Sequence, residues 1–409
     1  MAVSWNDGLK EDFRRVFVEE WSPYLAALVL VGIVIALMVN GLFWGVYGGL
    51  RLWGNWFNEL IGLNALLGVR PRLDNVLLHR ISLMNIALLI GAFSAALLSG
   101  QFRVNRAPKL EYLWGALGGT LMGIGATLAG GCTVGGFFTP LVFSSPAGWV
   151  MGAGLVIGAF IGLKLLLWTL ENIEWGSTAP GPLLASPGAV KVFPLVGVGV
   201  LGMILLWTVS WYFSGERTLE SRAILVVCGF ALGFTLHRSR FCFARVIREP
   251  MMTGDGTITK AMMLAIAVGV PMASLLFQKD LIDPFLAIPA TFWMGSLLGG
   301  TVFGIGMIFA GGCASGSLWR MGEGHLKLWV AGFFFAWGGA TFSSILSKWE
   351  VMKTEMNLDL VEETKVGIQA HLPAMTGGWS TTYAITAGIL LIWYMAVRYN
   401  ESTQRFTVT

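Results

Sequence analysis

The chain has 409 residues, 55% of them hydrophobic and only 12% charged, with a mean hydropathy of +0.70. A soluble domain carries about twice that charge, so the composition excludes an ordinary water-soluble protein. The net charge of +4 is too small to point to a nucleic-acid partner. Several apolar stretches reach the roughly 20 residues that a bilayer crossing needs, so the lipid bilayer is the expected surrounding.

In chain order, residues 1–22 mix both signs of charge (Asp7, Lys10, Glu11, Asp12, Arg14, Arg15, Glu19, Glu20). They lack the basic start and small-residue cleavage site of a secretory signal. They read as a cytoplasmic lead-in to the first span. Apolar spans are expected at 24–45, 82–99, 111–130, 148–168 and 192–213, in a first half covering 23–213. A second half, 214–409, holds spans at 222–237, 259–277, 288–310, 326–346 and 380–397. Apolar pieces at 133–143, 241–249 and 314–320 are too short to cross. They suit half-helices, since irregular backbone at membrane depth is tolerated only inside the protein or along a wet cavity.

Charge sets the expected orientation. Arg103, Arg106 and Lys109 form one cytoplasmic cluster, and Arg238, Arg240, Arg245 and Arg248 another. The acid-rich loop 348–378 (Glu350, Glu355, Asp359, Glu362, Glu363) goes outside. Both termini go inside, in the inner membrane of a cell. The loop around Arg51, Arg70, Arg72 and Arg80 then lies outside, a local departure from the rule.

The halves share a motif. Residues 118–135, GGTLMGIGATLAGGCTVG, align without gaps on 299–316, GGTVFGIGMIFAGGCASG, with 11 of 18 positions identical. The threading above runs the two copies in opposite directions through the membrane. The expected fold is therefore all-α: a polytopic helical membrane protein with two inverted pseudo-symmetric repeats and short re-entrant half-helices around the Gly-Gly-Cys motifs. Such repeats are common in transporters, with the binding site near their interface.

Gly130 and Gly131 precede Cys132, as Gly311 and Gly312 precede Cys313. A glycine pair permits a helix break that leaves N–H groups free. A half-helix starting after the cysteine would aim its positive end at that break, a ready anion site. The plainer reading is that small residues let membrane helices touch. Repetition of the whole motif around a cysteine favours a site. A third motif, HRSRFCFARVIRE at 237–249, places Arg238, Cys242, Arg245 and Glu249 on one face if it is helical. Cations beside a thiol attract anions, and Arg240 adds to that charge. Cys228 stands in an ordinary apolar span, and His237 and His325 read as interfacial. Arg320, Glu323 and Lys327 are spaced for local ion pairs, and Trp319 and Trp329 suit a membrane interface.

No CxxC, HxxH, HExxH or GxxxxGK[ST] pattern occurs, so thioredoxin-like, zinc-ribbon, histidine-metal and ATP-driven readings have no support. No cofactor or metal is expected. Few acidic residues lie within the spans, which leans towards a facilitative path.

The paired AGGC-x-x-G motifs, SRFCF with its upstream LGF-x-L, and the W-R-x-x-E-G-x-x-K-L-W stretch resemble the YeeE/YedE family of membrane sulfur transporters. The resemblance is strongest over 110–346. The length is more similar to the YedE branch, linked to selenium metabolism, than to the YeeE branch, linked to thiosulfate uptake. The resemblance implies an hourglass-shaped helical transporter, not an enzyme, that passes a sulfur or selenium anion along a line of cysteines. The functional cysteines would fall on Cys132, Cys242 and Cys313, and a small cytoplasmic sulfur-carrier protein would be a partner. The first half departs from the pattern, since 32–50 holds neither a cysteine nor an arginine. Neutral S–H groups, expected for thiols with pKa near 8.5, would donate weakly to the passing anion. The outer Arg51, Arg70 and Arg72 would gather it. An alternative is a persulfide-forming, sulfurtransferase-like membrane protein that hands sulfur to the carrier. A third reading is a scaffold in which the cysteines are dispensable.

Overall fold

In the computed structural model, residues 8, 11–173, 182–183, 187–356 and 362–408 are described. Asp7, Lys10 and Asp359, named above, lie outside the described residues. The main helices are α1 (Pro23–Val39), α2 (Tyr47–Leu60), α3 (Arg80–Leu98), α4 (Lys109–Leu128), α5 (Thr139–Val142), α6 (Pro146–Asn172) and α7 (Pro187–Tyr212). They continue as α8 (Arg217–Ser239), α9 (Phe243–Met252), α10 (Thr257–Phe277), α11 (Met294–Ala310), α12 (Ala314–Glu323), α13 (Leu326–Lys348) and α14 (Trp379–Thr403). Among the described residues nine helical stretches are long and apolar enough to cross a membrane, and α1 joined to the bent helix before it makes a tenth.

The expected spans coincide with helices, with two differences. The helix inside 24–45 stops at Val39, because Asn40 and Gly41 turn the chain and Gly41 takes φ +65°. Span 288–310 starts only at Met294, because Phe292 pairs with Ile368 instead. That pairing extends a small antiparallel sheet, β1 (Glu355–Met356), β2 (Glu362–Thr364) and β3 (Gly367–Ile368), in which Glu355 faces Glu363 and Glu363 faces Ile368. A helix the sequence reading took for a loop is α2, whose Leu50 and Gly54 are buried while Arg51 is exposed. Gly54 lies against the α13 backbone at Ala336.

Glycines set the helix crossings, as expected where lipid supplies no hydrophobic drive between helices. On α4, Gly118 meets α11 at Gly306 and Gly125 meets it at Gly299. The start of one helix touches the end of the other, so α4 and α11 cross antiparallel. Gly119 abuts the Ala331 carbonyl of α13, and Gly123 abuts Phe335 O. On α11, Gly300 abuts the Met151 carbonyl of α6, and Gly304 abuts Leu155 O. The packing reading thus holds for the leading glycines of each motif. Helix α7 is peripheral, touching α3 and α8 through Ile204, Trp207 and Trp211.

Candidate functional site

Each of the three motif cysteines stands immediately before a short helix. Helix α4 ends at Leu128, Gly130 takes φ +69°, and Cys132 (φ −79°, ψ −172°) caps a π-helical turn over Thr133–Phe138 that leads into α5. Helix α11 ends at Ala310, Gly311 takes φ +83°, and Cys313 (φ −79°, ψ −178°) caps α12. The carbonyls of Cys132 and Cys313 accept from Gly136 N and Ser317 N, both at 2.7 Å. The two motifs therefore have the same backbone. A left-handed residue is needed at 130 and 311, which glycine supplies without strain. Gly131 packs against the backbone of Gly135 and Gly136, while a Cβ at Gly312 would meet its nearest neighbour at 3.6 Å.

The third cysteine repeats the theme with a different turn. Helix α8 ends at Ser239, Arg240 is left-handed (φ 54°), and Cys242 caps α9. This corrects the expectation of one helical face carrying Arg238, Cys242, Arg245 and Glu249. Ser239 Oγ accepts from Phe241 N and donates to Thr235 O, which closes α8 before the cysteine.

Cys242 Sγ and Cys313 Sγ are 3.6 Å apart and buried. Gly316 N donates to Cys313 Sγ at 3.3 Å. A Cβ at Gly316 would lie 2.5 Å from Cys242 Sγ, so glycine makes room for the pair. The charges that reach this pair include Arg248 and Arg320. Arg320 Nη1 donates to Gly311 O at 3.1 Å, and Lys327 Nζ lies 3.8 Å from the Cβ position of Gly311. The buried Nε of Arg248 has no hydrogen-bond partner among the described residues.

Cys132 lies apart from that pair, in a cavity of about 280 Å³ with Tyr47, Arg51, Thr127 and Ser343. Tyr47 Oη and Thr127 Oγ1 share a hydrogen bond of 2.5 Å, and Arg51 Nη1 donates to Ser343 Oγ at 3.3 Å. A larger hollow of about 510 Å³, with Arg80, Arg222 and His79 in its wall, shares Phe43, Ile81 and Leu286 with this cavity. Burial pushes the His79 imidazole below its ordinary value, so at neutral pH the positive charge there rests on the arginines. Where Gly316 faces Cys242, its counterpart Gly135 faces Gly45. The first-half thiol therefore has no partner thiol at the equivalent place. The rings of Trp44, Phe138 and Phe243 pack together, with centroids 5.3 to 6.3 Å apart; Phe138 ends the turn that Cys132 caps and Phe243 opens the helix that Cys242 caps. Thr133 and Ser317, each in the first turn after a cysteine, are buried with hydroxyls unpartnered among the described residues.

The other motif arginines, Arg238, Arg240 and Arg245, are committed elsewhere. Arg238 is buried and donates to Val18 O and Glu19 O, tying the N-terminal segment down. Arg240 Nη1 meets Glu323 Oε1 at 2.6 Å. Arg245 pairs with Glu249 and donates to Arg240 O. The expected local pairing among Arg320, Glu323 and Lys327 is replaced by longer-range partners: Lys327 pairs with Glu111 at 3.3 Å, and Glu323 pairs with Arg240, His325 and His237. His237 and Trp319, read as interfacial, are fully buried, because α12 folds back against the end of α8. Trp329 is exposed as expected. Arg70 and Arg72 are exposed outside the cavity that Arg51 lines. The residues that sequence reasoning missed are Tyr47, Thr127 and Ser343. The only signal available for them was helical spacing from Tyr47 to Arg51.

A family model described as sulphur transport matches residues 5–161 and 238–409. The chain is 26% identical to the probable transporter YedE of Escherichia coli, over 95% of each chain. It is 26% identical to the probable transporter YedE of Salmonella typhimurium, over 84% of each. It is 29% identical to the thiosulfate transporter TsuA of Spirochaeta thermophila, over 44% of this chain and 56% of that protein.

Proposed function

The chain belongs to the sulphur transport family, and from that premise we propose that it carries a thiosulfate-like anion across the membrane by way of Cys132, Cys242 and Cys313. The observation that carries this reading is the common placement of the three thiols, each at the N-terminal cap of a short helix, with two of them 3.6 Å apart. An isolated ion in a low dielectric costs tens of kcal/mol by Born estimates. Helix ends and buried hydroxyls offset part of that cost. The nearby cations Arg51, Arg248, Arg320 and Lys327 offset more.

The anion enters the cavity at Cys132, where Arg51 meets its oxygens and the thiol meets its terminal sulfur. It then reaches the Cys242–Cys313 pair, where two S–H groups replace one. Weak, serial S–H contacts permit release at each step, as conduction requires. Selenium analogues fit the same chemistry, since selenium accepts from a thiol as sulfur does. We place the termini and the Cys242–Cys313 pair on the cytoplasmic side, where a small sulfur carrier would receive the product.

The test is uptake of labelled thiosulfate and selenite into proteoliposomes, with Cys132→Ala alongside. Uptake that falls about tenfold or more in the variant supports the path. Full uptake in the variant refutes it, and no uptake of either label by folded wild-type protein refutes the transport of these anions.

The antiparallel crossing of α4 and α11, which carry the same motif, supports an inverted arrangement of the two halves. Accessibility labelling of single cysteines placed in 103–109 and 278–284 is expected to modify the two loops from opposite sides. Reaction from one side alone would rule inversion out.

A further inference from the structure

Glu323 is the last residue of α12, the helix that begins at Cys313. A carboxylate at the negative end of a helix sits where cations are favoured, so it calls for compensation. It receives three candidates: Arg240 Nη1 at 2.6 Å, His325 Nε2 at 3.4 Å and His237 Nε2 at 3.6 Å. Arg240 is hydrogen-bonded to it, while the half-exposed His325 makes a longer ion-pair contact. His237 is different. Its ring is fully buried, and neither nitrogen has a hydrogen-bond partner among the described residues. A buried polar group left unpaired costs about 1–3 kcal/mol, and the anion path described above makes no use of this one.

The surroundings of His237 are mixed in charge. Glu323 faces it from α12, with His325 on the other carboxylate oxygen. Arg238 and Arg240 come from the end of its own helix. Glu20, from the N-terminal segment, lies 3.6 Å from Arg240, and Gln101 accepts from both arginines. The Trp319 ring meets the imidazole edge-on at 5.9 Å and also meets Arg240 at 5.6 Å. Two groups able to carry positive charge, Arg240 and His237, thus compete for the same oxygen, Oε1, of one nearly buried carboxylate.

We infer that His237 and Glu323 form a proton-binding site that couples movement of the anion to movement of a proton, an inference that rests on the transport reading above. The linkage is physical. The chain runs from His237 through the left-handed Arg240 straight to Cys242, and α12 runs from Cys313 to Glu323. The thiol pair and the proton site are therefore joined by the same two stretches of chain, 237–242 and 313–323. A proton taken from water onto His237 makes an imidazolium that pairs with Glu323 and releases Arg240. The added positive charge at this end of the path stabilises an arriving dianion, and the dianion in turn holds the proton. Such coupling is reciprocal by linkage. Departure of the anion returns the proton to water and Arg240 to Glu323. An unperturbed imidazole changes charge between pH 5 and 8, and the Glu323 carboxylate 3.6 Å away gives the charged form of this buried ring a partner.

The experiment uses purified protein in liposomes with the membrane potential clamped at zero. A proton gradient of about one pH unit, acid outside, is expected to raise thiosulfate accumulation about tenfold for one proton carried per anion, since one pH unit is a factor of ten, about 1.4 kcal/mol, and a protonophore to remove the gain. His237→Gln and Glu323→Gln are expected to lose the response to the gradient while still exchanging internal for external thiosulfate. A second readout needs no variant: an internal pH dye should report acidification when thiosulfate is added to wild-type vesicles. Wild-type exchange without gradient response or acidification overturns the coupling and leaves the transport reading standing. A gradient response that survives in His237→Gln overturns the assignment of the site. Absence of any exchange in folded wild type overturns the transport reading, and the coupling with it.

Discussion

Replacing Gly316 with alanine is expected to cut thiosulfate uptake about tenfold or more while the protein still folds. The added Cβ would stand 2.5 Å from Cys242 Sγ, closer than real contacts come, and 3.2 Å from Cys313 Sγ, a tight contact. Overpacking of this kind costs about 1–3 kcal/mol, and the atoms forced to move are the two thiols. The pair would splay, and the hydrogen bond from Gly316 N to Cys313 Sγ would bend with it. Gly312→Ala is the matched control. It lies in the same motif, yet its new methyl meets nothing nearer than 3.6 Å, an ordinary van der Waals distance. Initial uptake rates in proteoliposomes, with melting in detergent measured in parallel, separate the two cases. Equal loss in both variants would mean that the motif tolerates no methyl anywhere, and that the thiol pair has no special standing.

How much of this was legible in the sequence varies with the length of the feature. Apolar runs of about 20 residues announce membrane helices whatever their partners, which is why 82–99 and 259–277 coincide with α3 and α10. Helix α2 was not legible in that way. Its run is interrupted by Arg51, Asn55, Asn58 and Glu59, and it is held by its contact with α13 rather than by hydropathy. The glycine and cysteine repeat was visible as identity between two segments, but not which glycines pack helices and which break them. That distinction depends on where Ala331, Phe335 and Met151 end up, far away in the chain. The face drawn through Arg238, Cys242 and Arg245 failed for a local reason, the left-handed turn at Arg240, which no residue pattern marks when the residue is not glycine. The Sγ contact of Cys242 with Cys313, and the meeting of His237 with Glu323, are tertiary facts. Spacing along the chain carried no hint of either.

The same contact made twice offers the strongest test of the architecture. Gly119 of α4 lies against the carbonyl of Ala331 on α13, and Gly300 of α11 lies against the carbonyl of Met151 on α6. In the ungapped alignment of the motifs, Gly119 and Gly300 are the same position. In both places the obstacle is a backbone atom of another helix, so no side-chain rotation relieves an added methyl and the helices themselves must separate. Gly119→Ala and Gly300→Ala are each expected to destabilise the protein by about 1–3 kcal/mol, by similar amounts. Reversible unfolding in mixed micelles measures this. The two interfaces share no contacting residue, so the double variant should show the sum of the single effects. A large cost at one position with none at the other would mean that the halves, alike in sequence, are not held in the same way. Equal and additive costs would place the antiparallel contact of Gly118 with Gly306 and of Gly125 with Gly299 at the centre of a twofold arrangement. The Cys132 cavity and the Cys242–Cys313 pair would then be two versions of one site, of which only the second has kept both thiols.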